Sequence, residues 1–123
     1  MAFVSKRDEI PKRKEGEKMT VRIESGEREI VARLSGEIDH HHAGEIRSEI
    51  DEAVASAQPA VLVLDFREVT FMDSSGIGLI MGRYKAVAAY GGELVIANIS
   101  LGLKKVIRLA GLDKLARIEE NRK

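Results

Sequence analysis

Ala60-Val61-Leu62-Val63-Leu64 is an unbroken apolar run bounded by Pro59 on one side and Asp65 on the other. A run this short with no polar alternation reads as a strand covered on both faces. That segment commits the chain to a layered fold, and helical patterns flank it. Before it, Ala43, Ile46, Ile50, Ala53, Val54 and Ala57 recur at helical spacing from about His42, and Pro59 lies just past the end. After it, a helix is expected to begin around Ser74, with Ile77, Ile80, Met81, Tyr84 and Ala88 on one side and Gly91-Gly92 as its stop. Leu94-Val95-Ile96 is a second buried strand. Ser100 is placed to cap a third helix, with Leu103, Val106, Ile107 and Ala110 inward and Gly111 at its end. A short last strand is expected near Ala116 to Ile118.

The first part of the folded chain alternates instead. Val21 and Ile23, a turn at Ser25-Gly26-Glu27, then Ile30, Ala32 and Leu34 predict two half-buried antiparallel strands. The order is then β-β-α-β-α-β-α-β. The later βαβ units require parallel strands joined by right-handed crossovers. The expected fold is α/β: a single small domain over residues 19–123, with one mixed β-sheet and helices packed against it. Ser5 to Lys18 are almost all polar and cannot bury enough apolar surface to offset their ordering, so residues 1–18 are expected to be a disordered polar arm. Asp8, Glu9, Glu15 and Glu17 dilute its positive charge and weaken a reading as a basic tether.

Composition removes several function classes. There is no cysteine, which excludes disulfide frameworks, thiolate metal sites and cysteine nucleophiles. Lys plus Arg and Asp plus Glu both number 20, so the basic excess usual in nucleic-acid binders is missing. No apolar run approaches the roughly 20 residues that span a bilayer. The N-terminus lacks the apolar stretch of a signal peptide. The expectation is a soluble cytoplasmic protein that contacts neither nucleic acid nor membrane.

Two stretches can carry chemistry. Phe71-Met72-Asp73-Ser74-Ser75-Gly76-Ile77-Gly78 joins a strand region to a helix start. A helix N-terminus presents unpaired N–H groups at the positive end of the dipole and favours negative charge, phosphate included. Asp73 and Ser74 are also ordinary capping types. Two successive serines exceed what one cap needs, and Gly76 and Gly78 each give up as much as about 1 kcal/mol of helix propensity. Glycine there suggests a close approach by another backbone or by a partner. The stretch matches no Walker loop, dinucleotide fingerprint or Gly-x-Ser-x-Gly elbow. A hydrolase built on Asp73 and Ser74 lacks a base placed by a known spacing.

The second stretch is Gly36-Glu37-Ile38-Asp39-His40-His41-His42. Adjacent histidines do not share a face, so the run is a poor metal site and no metal is expected. Asp39 reads as a cap in a strand-to-helix turn. Were the two preceding strands neighbours, Asp39 and the Asp73-Ser74 turn would share the sheet edge where open α/β folds place their sites.

Together, Gly36-Glu37-Ile38-Asp39-His40-His41 and Phe71-Met72-Asp73-Ser74-Ser75-Gly76-Ile77-Gly78 resemble the STAS-domain anti-sigma-factor antagonists. Gly82-Arg83-Tyr84-Lys85 and Gly91-Gly92-Glu93-Leu94-Val95 are similar to the sporulation-type branch of endospore-forming bacteria. The resemblance covers roughly Met19 to Glu119. It implies a binding protein and not an enzyme, with no cofactor. The unphosphorylated form would bind an anti-sigma factor that is also a serine kinase, and so release the sigma factor. Phosphorylation of Ser74 would end that binding, and a metal-dependent serine phosphatase would restore it. Asp39, Asp73, Ser75 and Gly76 would then belong to the partner-binding surface. A rival role is a STAS interaction module in a larger stress-signalling assembly. The chain departs from the pattern in its longer polar arm and in having three histidines where relatives have two.

Overall fold

The computed structural model describes residues 20–122; the arm expected at residues 1–18 lies outside them. Strand β1 (Thr20–Ser25) pairs antiparallel with β2 (Glu29–Ile38). Strands β3 (Val61–Met72), β4 (Glu93–Ala97) and β5 (Arg117–Glu119) continue parallel to β2, giving a five-stranded mixed sheet in the order β1-β2-β3-β4-β5. Helices α1 (Ala43–Ala57), α2 (Ser74–Ala88) and α3 (Leu101–Leu109) make the crossovers, and a 3₁₀ turn at Leu112–Lys114 precedes β5. The element order is the expected one.

Each crossover steps one strand in the same direction. Right-handed crossovers that all step the same way place their helices on one face. The main core follows from that. Ile30, Ala32 and Leu34 of β2, Leu62, Leu64 and Phe66 of β3, and Leu94 and Ile96 of β4 meet Ile46 and Ile50 of α1, Leu79 and Ile80 of α2, and Ile107 of α3.

The helix phases differ from expectation. Ala57, Ala88, Val106 and Ala110 are exposed. Helix α2 buries Gly76, Leu79, Ile80, Arg83 and Val87, while Ile77, Met81 and Tyr84 are half-buried. It is apolar around most of its circumference, so contact with the sheet sets its phase. Arg83 is admitted to the interior because its Nε lies 2.9 Å from Asp51 Oδ1 of α1. On α3 only Ile107 is buried, and Leu112 in the following turn supplies burial that Val106 and Ala110 do not.

The sheet's other face carries a strip of Val31, Val63, Val95 and Ala97, all buried although the helices lie opposite. The central strand is thus covered on both sides, but by different means. Glu29 and Glu119 point to this face, since Ile30 and Ile118 face the helices. The Arg122 guanidinium bonds both carboxylates, Glu119 at 3.0 Å. Strands β3 and β4 lie between those partners, so the Arg122 side chain crosses the valine strip. Its backbone is tied to Asn98, whose amide also donates to buried Asp65 at 3.0 Å.

Strand β3 runs well past the expected Leu64. Pairing with β4 ends at Asp65–Ala97, and pairing of β1 with β2 ends at Thr20–Ser35. Beyond these points, among the described residues, β2 and β3 continue as a two-stranded ribbon, Gly36 beside Val69 and Ile38 beside Met72. Its register shifts twice, and Gly36 at the irregularity has φ 95°, where glycine is favoured. Thr70 Oγ1 donates to the Gly36 carbonyl at 3.2 Å.

Candidate phosphoacceptor site at the ribbon tip

Each ribbon strand ends in an aspartate. Asp39 follows β2 and closes the turn into α1. Its Oδ1 accepts the N–H groups of His41 and His42, both at 3.1 Å, and lies 2.7 Å from His42 Nδ1. Its carbonyl accepts from His42 and Ala43. Partial burial pushes the Asp39 pKa up, but the hydrogen bonds from His42 and His41 and the charge of His42 outweigh it. The net position is below the ordinary aspartate value.

Asp73 follows β3 and is the N-cap of α2. Its Oδ1 accepts the Ser75 N–H at 2.8 Å, and its carbonyl accepts the Gly76 N–H at 2.9 Å. Its own N–H donates to the Ile38 carbonyl at 3.1 Å. That bond fastens the second junction to the first, so the expected shared edge is observed. Ser74 is the first residue of α2 and is exposed; Ser75 is half-buried. An exposed hydroxyl therefore stands at the positive end of the α2 dipole, with two aspartates at the neighbouring strand ends.

Gly76 is buried. A Cβ there would lie 2.0 Å from Met72 Cγ and 3.4 Å from Ile38 Cγ2. A close approach exists, but neither a backbone nor a partner makes it: the group is the Met72 side chain of the same chain. Gly76 thus shapes the site from beneath. Gly78 has open space around it, and nothing in the structure explains a glycine there.

Sequence reasoning missed two features. The run of histidines does not act as a unit: His40 and His41 are exposed with ring centroids 4.1 Å apart, while His42 turns toward Asp39. The available signal was the position of His42 three residues after a turn-forming aspartate. Phe71 is also unexpected, standing 48% exposed on the ribbon. No hydrogen bond joins Ser74 to a histidine among the described residues.

The model of the STAS domain matches residues 19–123. An anti-sigma F factor antagonist of Paenibacillus polymyxa is 38% identical over 92 residues, covering 75% of this chain and 79% of the relative. The solved structure of the anti-sigma factor antagonist SpoIIAA in its unphosphorylated form is 31% identical, with TM-score 0.75 over 85% of this chain and 90% of that one. The phosphorylated form of SpoIIAA, a Bacillus cell fate determinant, gives TM-score 0.69 at the same identity, over 85% and 93%. The five-stranded mixed sheet with its three helices is the fold of the SpoIIAA structures, and the chain belongs to the STAS domain family.

Proposed function

We propose that this chain is an anti-sigma-factor antagonist that works by partner switching in the cytoplasm. The unphosphorylated form binds an anti-sigma factor with serine kinase activity and releases the sigma factor. Phosphorylation of Ser74 ends that binding, and a metal-dependent serine phosphatase resets it. The observation that carries the reading is the exposed Ser74 hydroxyl at the start of α2, one hydrogen bond away from the Asp39 junction. The relatives support it, since SpoIIAA is an antagonist with solved unphosphorylated and phosphorylated forms.

The electrostatics give a mechanism. A phosphate on Ser74 adds about −1.5 to −2 charge at neutral pH. Within the domain, the α2 N-terminus tolerates it. Across an interface that already contains Asp39 and Asp73, the same charge is repelled and costly to desolvate. Phosphorylation then breaks the complex and spares the fold. Asp39, Asp73 and Ser75 form the surface around the acceptor, with Gly76 setting its shape from below.

The test is incubation with ATP and the anti-sigma factors of the same genome, followed by tandem mass spectrometry. The phosphate should sit on Ser74. Ser74→Ala should bind and resist inactivation by ATP, and Ser74→Asp should bind weakly without it. A phosphate on Ser75 or Thr70 would move the acceptor. Tight binding with no phosphate transfer would remove the switch and leave a STAS interaction module of a larger assembly.

A further inference from the structure

Asp39 Oδ1 is the focus of three contacts: two backbone N–H groups and the His42 ring. The backbone pair is an ordinary aspartate turn, which any residues but proline at positions 41 and 42 would supply. The ring is an additional constraint. Asp39 Oδ2 takes no hydrogen bond among the described residues, and the side chain is 21% exposed. One carboxylate oxygen is therefore saturated by the chain itself, while the other is left for an external donor.

We propose that His42 is a positioning residue for partner engagement: its Nδ1–H holds Asp39 so that Oδ2 meets a guanidinium, ammonium or N–H donor of the anti-sigma factor. This deepens the partner-switch reading and rests on Asp39 lying in the partner surface. The proton assignment follows from chemistry. An ionised carboxylate can only accept, so the nitrogen 2.7 Å away must carry the hydrogen. Free neutral imidazole favours the proton on Nε2, so Asp39 selects the less common tautomer. Without the ring, rotation of the carboxylate would let either oxygen serve the turn, and the oxygen offered to a partner would no longer be set.

Two measurements test this on the intact chain. The first is a long-range proton–nitrogen NMR spectrum of the free protein at a pH where the ring is neutral. His42 should carry its proton on Nδ1, and Asp39→Asn should move the balance toward Nε2. A wild-type His42 protonated on Nε2 alone would overturn the proposal. The second is affinity for the anti-sigma factor of the same genome. His42→Ala should weaken binding about tenfold, and His42→Asn, whose side-chain amide can replace the Nδ1–H, should stay within about threefold of wild type. Adding His42→Ala to Asp39→Ala should weaken binding no further than Asp39→Ala alone. Normal binding by His42→Ala beside weak binding by Asp39→Ala would sink the positioning role and keep Asp39 in the surface. Normal binding by Asp39→Ala would overturn both.

Discussion

Asp39 and Asp73 occupy matching places at the ends of adjacent parallel strands, and each uses Oδ1 to collect backbone N–H groups. Their burdens differ. Asp73 is the cap of its helix, and the start of α2 is pressed onto Met72 through Gly76. Asp39 stands before a turn, and α1 begins at Ala43 behind an N-cap, His42, that makes no side-chain cap bond. The second junction is committed to holding a helix, whereas the first holds a carboxylate. The difference teaches that two copies of one turn device can divide the work, one setting where the exposed Ser74 stands and the other presenting charge beside it.

That division can be tested in four ways. Asp39→Ala should have the largest effect, a loss of about 2–4 kcal/mol in affinity for the anti-sigma factor with the circular dichroism spectrum unchanged. A fall in stability as large as the fall in affinity would make the first junction structural too. Gly76→Val should come next, because a branched side chain must displace Met72 and Ile38, at about 1–3 kcal/mol of stability in denaturant titration. A neutral result would mean that α2 can shift away from the ribbon at little cost. Asp73→Ala should remove the α2 cap and about 0.5–2 kcal/mol of stability; an unchanged melting curve would deprive Asp73 of its structural role.

The smallest effect is a pH dependence. The folded pKa of Asp39 lies below its unfolded value, because the hydrogen bonds from His42 and His41 together outweigh desolvation. Its contribution to stability is therefore present above the unfolded value, about pH 4, and fades as pH falls through the folded one. The difference in stability between wild type and Asp39→Asn should shrink on acidification through that window. A difference that grows on acidification would mean that the carboxyl is held neutral rather than charged.

Much of the fold was legible because period and punctuation agree. Alternation at Val21–Leu34, the run at Ala60–Leu64 and the stops at Pro59, Gly91 and Gly111 each have a local cause. The adjacency of Asp39 and Asp73 needed β2 and β3 to be neighbours as well as parallel, and the pairing of those strands meets that condition. Helix phase was less accessible, since α2 is apolar on several sides and a buried Arg83 looks like a surface residue until Asp51 is brought beside it. The ribbon half of β3 was hidden by Arg67-Glu68, which interrupt the apolar pattern where only β2 remains as a neighbour. The His42–Asp39 contact depends on a side-chain rotamer, which the residue types leave open.

The bond between Arg122 and Glu29 joins residues 93 positions apart. Protein chains are made in one direction, at about 5–20 residues per second. Strand β2 and the valines of β3 and β4 are thus synthesised seconds before the side chain that crosses them. During that interval the helices can already be docked on one face while the other still shows a bare apolar strip. The back of the sheet is therefore the last surface of the domain that the chain can close.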